Sequence, residues 1–249
     1  MRKPVFAANW KMHNGPQDTR AFLQRFLAAY APRDDRTVIF FPTAVSLAVA
    51  GFALRDRQDI PLGIQNIHWE DKGAFTGENS APMARDCGAS IALVGHSERR
   101  QNFGETDEMT AKKCAAAARA GLAPILCVGE RAEERDRGTT LPVVLRQVKT
   151  GLGRLEKSQI PSIAIAYEPV WAIGTGKTAR PEDATLVHAA IRRYLREVIS
   201  ARADDVPLIY GGSVTADNTA ELLAASEVDG LLVGGASLDV DTWTRIVST

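Results

Sequence analysis

Three side chains suited to acid–base and electrostatic chemistry stand at the ends of short apolar runs: Lys11 in "ANWKMH", His96 in "VGHSERR" and Glu168 in "AYEPVWAIGTGKTA". A carboxylate can act as a general base. A neutral imidazole can donate a hydrogen bond to a substrate oxygen, and the short helix expected to start just after His96 disfavours imidazolium at its N-terminus. A lysine at a strand end would attract a phosphorylated anion and stabilise an oxyanion. Asn9, two residues earlier, shares the side of Lys11 if the segment is extended. The plain alternatives are a hydrogen-bonded structural histidine and an ordinary surface lysine. Ser97, next to His96, is placed to hold the carboxylate in an empty site.

Two glycine pairs complete the set, in "YGGSV" (210 to 214) and "LVGGASL" (232 to 238). Each ends an apolar run, where backbone N–H groups and a short helix start can bind phosphate. Tight turns need glycine in any case. The "GTGKT" after Glu168 looks like a nucleotide loop, but the Walker pattern needs glycine where Trp171 stands. A dinucleotide fingerprint must open a helix, and here the next helix starts near Pro181. The remaining reading is a hinged lid over 169 to 178. Pro169 fixes its start, Val170, Trp171 and Ile173 offer apolar surface to bury on closure, and Gly174 offers an N–H to phosphate. A surface loop that happens to carry Trp is the competing reading.

These residues need a scaffold that brings strand ends together. Eight short runs rich in Val, Ile, Leu and Phe begin near residues 5, 37, 60, 90, 123, 162, 207 and 230. Helix-patterned stretches lie between them, at 18 to 31, 107 to 121, 141 to 155 and 181 to 199 among others. Short strands alternating with longer amphipathic helices imply parallel βαβ units. Eight units in 249 residues fit a (β/α)8 barrel of eight parallel strands with outer helices, better than a five- or six-stranded doubly wound sheet. No linker-like stretch interrupts residues 1–249, so one domain is expected.

Composition narrows the partners. Thirty Lys and Arg balance thirty Asp and Glu, so no global field draws the chain to nucleic acid or an anionic membrane surface. No apolar run approaches the roughly 18 residues that would suggest a membrane span. Cys87, Cys114 and Cys127 form no CxxC pair, and the N-terminus reads as no signal peptide; a reduced, cytoplasmic protein is expected. Cys127 admits a packing role and a redox one equally. His68 and His188 have no metal-ligand companions at suitable spacing. The run "ERAEERDRG" (130 to 138) reads as a solvated helix face. The stretch 66 to 80, "NIHWEDKGAFTGENS", is longer than most βα connections and suits a partner contact.

Over nearly its whole length the chain resembles the triosephosphate isomerase family. The matching stretches are "ANWKM", "GAFTGE", "VGHSERR", "PILCVGE", "AYEPVWAIGTGKTA", "YGGSV" and "DGLLVGGASL", in the family's order. The resemblance implies a TIM barrel that interconverts dihydroxyacetone phosphate and D-glyceraldehyde 3-phosphate through an enediol(ate), in glycolysis and gluconeogenesis, with no cofactor and no metal. It implies Glu168 as base, His96 as neutral electrophile, and Lys11 and Asn9 as substrate-binding oxyanion stabilisers, roles already known for that family. Phosphate would be held by the backbone at Gly174, Ser213, Gly234 and Gly235. It also implies a homodimer in which the 66–80 loop, with Thr76, enters the partner. His13 departs from the asparagine frequent after "NWKM", and "FFPTAVSL" (40 to 47) is a looser version of the family's second loop. An aldolase-type barrel would show a Schiff-base lysine inside a strand or metal ligands, and this sequence shows neither. A non-catalytic protein on the same fold would not need Lys11, His96 and Glu168 together.

Overall fold

Strands dense in branched apolar residues have no face to give to water, so they must be covered on both sides. In the computed structural model, which describes residue 1 and residues 3–173 and 179–249, a closed barrel meets this demand. Among the described residues the strands are β1 (Val5–Asn9), β2 (Thr37–Phe41), β3 (Leu62–Ile64), β4 (Ala89–Val94), β5 (Ala123–Val128), β6 (Ala164–Tyr167), β7 (Leu208–Tyr210) and β8 (Gly230–Val233). They pair in sequence order, all parallel, and β8 closes on β1 through Val5↔Gly230 to Ala8↔Val233. This is the (β/α)8 barrel that the alternation of runs predicts.

The helices are α1 (Pro16–Ala29), α2 (Leu47–Leu54), α3 (Ala81–Asp86), α4 (Ser97–Asn102), α5 (Asp107–Arg119), α6 (Ala132–Asp136), α7 (Thr140–Leu152), α8 (Pro181–Ile199), α9 (Thr219–Ala224) and α10 (Val240–Ser248). Their boundaries follow local chemistry. Thr106 caps α5 by accepting from Met109 N–H at 3.2 Å, and Asp107 and Glu108 sit in the positive first turn. Gly121 ends α5 at φ +79°, which lets Leu122 N–H reach back to Ala117 C=O at 2.9 Å. Pro181 opens α8, with Glu182 and Asp183 in its first turn.

Alternation sorts strand side chains into two cores. One contains Val5, Ala7, Ile39, Phe41, Ile91, Leu93, Ile125, Cys127, Ala164, Ala166, Ile209 and Leu232, with no helix residue, and fills the barrel. Gly63 makes room there, since a Cβ on it would lie 2.2 Å from the Phe41 ring. The other parity, including Phe6, Ala8, Phe40 and Tyr167, packs against the helices. Around Phe40, the rings of Trp10, Phe22, Phe26 and Trp243 lie at 5.1–6.0 Å between centroids.

Arg192 on α8 fastens the helix layer to the barrel. Only 2% exposed, it pairs with Glu227 at 2.9 Å and Asp229 at 2.6 Å and donates to the carbonyls of Ala203 and Val206. Asp229 in turn accepts Leu208 N–H at 2.9 Å at the start of β7. Arg192→Met should cost roughly 3 kcal/mol, the lower end for a buried ion pair losing one member, because both carboxylates keep some solvent. Thermal unfolding should show a Tm lower by about 2–4 °C per kcal/mol; an unchanged Tm would remove Arg192 from the scaffold's support.

Candidate active site

The interior parity of the strands continues one step past their ends. Val5 and Ala7 lead to Asn9, Ala164 and Ala166 to Glu168, Ile125 and Cys127 to Gly129, Ile209 to Gly211, and Leu232 to Gly234. The top layer of the barrel is therefore made of functional groups and glycines instead of branched apolar side chains. A cavity of about 330 Å³ opens there, walled by Asn9, Lys11, His96, Glu168, Ile173, the turn Gly211–Ser213 and the turn Gly234–Ala236. Of the residues singled out in the sequence, Asn9, Lys11, His96, Glu168, Ser213, Gly234 and Gly235 all meet at this cavity. Gly174 lies outside the described residues, as does the rest of the expected lid from 174 to 178.

Two residues reach the cavity by routes that simple alternation does not provide. Lys11 and Asn9 do not share one face of an extended segment: β1 ends at Asn9, and Lys11 turns in the left-handed region at φ +52°. Asn9 Oδ1 accepts Lys11 N–H at 3.1 Å, and Gln65 donates to Lys11 C=O at 2.8 Å, so this unusual backbone is tied at both groups. His96 follows Gly95, whose φ of +75° redirects the chain after β4. The N–H of Gly95 is held by Glu105 Oε1 at 2.9 Å.

Glu168 is 2% exposed, and its carboxylate is surrounded by donors. Ser97 N–H, at the start of α4, donates to Oε2 at 2.9 Å, and Ser97 Oγ–H donates to Oε1 at 3.3 Å. His96 Nε2 lies 3.0 Å from Oε1. Burial pushes the Glu168 carboxyl up, but His96 and the Ser97 donors outweigh it and hold the group below the usual glutamate range. Gly211 leaves space on one flank, since a Cβ there would lie 2.9 Å from Glu168 Cγ.

The tautomer of His96 follows from its other nitrogen. Glu98 N–H points at Nδ1 at 3.3 Å, which requires a lone pair there and puts the proton on Nε2, facing Glu168. Burial lowers the pKa of His96, whereas the Glu168 carboxylate raises it, and with Glu168 in contact the net direction is upward. The neutral, Nε2-protonated ring is the form that satisfies both hydrogen bonds. With Glu168 moved away, burial and the Lys11 charge lower the pKa of His96, opposed by the Glu98 carboxylate.

Lys11 Nζ pairs with Glu98 Oε1 at 2.6 Å. The two glycine turns are pinned from below. Ser237 Oγ donates to Gly234 C=O at 2.6 Å, Trp10 Nε1–H donates to Ser237 C=O at 3.1 Å, and Asn218 Nδ2 donates to Ser213 C=O at 3.1 Å.

Glu130, which sequence reading placed at the head of the solvated run 130 to 138, is instead fully buried and lies outside the helix. It accepts from Tyr167 Oη at 3.2 Å and from Trp171 Nε1 at 2.9 Å, anchoring the start of the lid segment. Beyond Glu130 the run fits the reading, since helix α6 has no buried residue. Even so, Arg135 within it stacks over the Trp171 ring at 4.0 Å and pairs with Asp183 at 2.9 Å. The signal was the acid following "CVG" at the end of β5. Cys127 lies in the barrel interior beneath Glu168, and burial pushes its thiol well up, with Glu168 adding to the effect. It is a packed thiol, poorly suited to nucleophilic or redox chemistry. Among the described residues no group of three or more His, Cys, Asp or Glu is arranged to hold a metal ion, and no helix is long and apolar enough to cross a membrane.

Comparison with known proteins agrees with this geometry. A family model described as triosephosphate isomerase matches residues 4–249. A protein of Moorella thermoacetica named triosephosphate isomerase is 47% identical over 248 residues, covering 100% of this chain and 99% of that protein. One of Solibacter usitatus with the same name is 47% identical over 249 residues, covering 100% of both. One of Aquifex aeolicus is 44% identical over 243 residues, covering 98% of both. With a closed eight-stranded barrel and an acid, an imidazole and a lysine at its mouth, the chain belongs to the triosephosphate isomerase family.

Proposed function

We propose that residues 1–249 form one catalytic domain, an intramolecular aldose–ketose isomerase interconverting dihydroxyacetone phosphate and D-glyceraldehyde 3-phosphate. The reaction belongs to glycolysis and gluconeogenesis, in the cytoplasm. The observation that carries the reading is the buried Glu168 carboxylate, 3.0 Å from the imidazole of His96, in one cavity with Lys11 and two glycine turns.

The phosphate of the substrate lies against N–H groups at Ser213, Gly234 and Gly235, joined by Gly174 when the lid closes. Its charge competes with Glu98 for Lys11. The triose end enters between His96 and Glu168, and its oxygen takes over the Nε2–H bond that Glu168 holds in the empty site. Released from Ser97 and His96, Glu168 loses the donors that depress its pKa and becomes a stronger base. It takes a proton from the carbon beside the carbonyl, and the electron pair moves to oxygen, giving an enediolate. His96 Nε2–H, the Lys11 ammonium and the Asn9 side chain stabilise that oxyanion. A proton then passes from the neighbouring hydroxyl to the oxyanion by way of His96, and Glu168 returns its own proton to the adjacent carbon as the other oxygen becomes the carbonyl, so no atom is gained or lost. A closed lid excludes water and keeps the intermediate from expelling its phosphate.

A homodimer through the 66–80 loop completes the proposal. Residues 70–78 are exposed, and the loop is braced by His68 N–H on Asn79 C=O at 2.8 Å and by ring contact of His68 with Phe75 at 4.2 Å. Met12, Phe75 and Phe103, on connections following β1, β3 and β4, are 92%, 43% and 68% exposed and offer apolar surface for a partner to cover.

Chelator-treated protein should isomerise glyceraldehyde 3-phosphate in a coupled assay; folded protein with no turnover would refute the reading. Glu168→Gln should lower kcat by about 10²- to 10⁴-fold while leaving phosphate inhibition nearly unchanged, and a retained kcat would place the base elsewhere.

The free-enzyme pKa of Glu168 is depressed, so its carboxylate persists as pH falls. After correction for the substrate phosphate, which ionises near pH ~6, protonation of His96, whose pKa is raised, sets one acid limb of kcat/KM, and the separate Glu168 limb should lie below the usual glutamate range. Ser97→Ala should move that limb upward; an unmoved limb would show that Ser97 does not set the pKa. Light scattering should give about twice 26.9 kDa, and a stable monomer would count against the dimer.

A further inference from the structure

Helix α7 turns one face to the barrel, burying Val143, Val144, Val148, Gly151 and Leu152 at helical spacing. Gln147 falls on the same face and is 6% exposed, where an apolar residue would pack without desolvating an amide. Its amide is fully engaged with one residue across the interface. Gly129 N–H donates to Gln147 Oε1 at 2.7 Å, and Gln147 Nε2 donates to Gly129 C=O at 3.2 Å. The backbone partners fix which end of the amide is oxygen.

Those two bonds are what a neighbouring strand would supply. The β5–β6 ladder stops at Val128↔Tyr167, with Glu168 N–H on Val128 C=O at 2.8 Å. Gly129 comes next, beyond the ladder, and the amide of Gln147 replaces the missing rung. On its other side Gly129 lies against the base: a Cβ on it would be 1.7 Å from Glu168 C=O and 3.4 Å from Glu168 Cα. The following residue is Glu130, which takes the Tyr167 and Trp171 hydrogen bonds. One side chain on α7 thus holds the corner that touches both the backbone of the base and the root of the lid.

We infer that Gln147 is a positioning residue for catalysis, fixing the backbone from which Glu168 reaches substrate; the inference rests on the isomerase reading above. Glu168 has to travel from Ser97 to a substrate carbon, and its reach is set by where its Cα is held. Proton transfer is sensitive to displacements well below 1 Å. Phosphate binding depends on β7 and β8 turns that Gln147 does not contact, so the two properties should separate.

The test compares full-length wild type, Gln147→Leu and Gln147→Glu in turnover of glyceraldehyde 3-phosphate between pH 5 and 8, with inhibition by inorganic phosphate measured alongside. Gln147→Leu fills the volume without either bond, and kcat should fall by about tenfold or more with phosphate inhibition within about twofold. Gln147→Glu, when ionised, keeps the acceptor for Gly129 N–H but sets an oxygen against Gly129 C=O. When protonated it restores the donor, and burial raises its pKa into the tested range. Its kcat relative to wild type should therefore rise as pH falls. The inference is overturned if Gln147→Leu retains kcat within about twofold, if kcat and phosphate inhibition are lost together, or if the Gln147→Glu ratio is flat with pH. Should the leucine variant not fold, the glutamate pH ratio decides. Wild type without turnover would refute the isomerase reading itself, which is distinct from an active wild type with active variants.

Discussion

A carboxylate can leave water only where hydrogen-bond donors replace its hydration, and Glu168 is almost completely buried. The first N–H of α4, the hydroxyl of Ser97 and Nε2–H of His96 meet that demand. All three come from the connection after β4, two strands away from β6. The path of that connection, including the turn at Gly95, is therefore tied to the need to stabilise one charge. The same donors that stabilise the resting carboxylate weaken it as a base, so in the proposed mechanism reactivity depends on substrate taking them over. In this arrangement ground-state stability and catalysis use one set of hydrogen bonds at different moments.

Around that pair the barrel supplies rigidity by parity. Side chains alternate inward and outward along each strand, so the residue after two interior apolar positions necessarily faces the mouth. Asn9, Gly129, Glu168, Gly211 and Gly234 occupy that register. Three of the five are glycines, and two lie directly against Glu168: the sites of a Cβ on Gly129 and on Gly211 fall within 2.9 Å of its atoms. Gly211 leaves room beside the Glu168 side chain, whereas Gly129 lets the backbone at the end of β5 approach that of Glu168. Outside the barrel, Glu130, Trp171, Arg135 and Asp183 link the chain just after Pro169 to the start of α8. The two ends of the segment 169–180 are thus anchored to a common cluster of polar and aromatic groups.

Much of this was legible in the residue order. Eight branched apolar runs separated by helical patterns imply the barrel, because period and length are local properties. The strand-end positions of His96, Glu168 and the glycine pairs follow from it. The path of Lys11 was not legible: its left-handed backbone is stabilised by Gln65, 54 residues away. Nor was its pairing with Glu98, 87 residues distant. Nor was the partner of Gln147, the Gly129 backbone just past the end of the β5–β6 ladder.

The amino-acid sequence by itself determined the class of fold, the residues capable of acid–base chemistry and the family to which they belong. Each depends on residue type and on spacing along the chain. Only the tertiary structure decided which donors hold Glu168, which nitrogen of His96 carries the proton and which helix braces the corner at Gly129. Those are contacts between segments far apart in sequence, and their energies depend on distances of a few tenths of an ångström and on exclusion of water. Such quantities exist only after the barrel has closed.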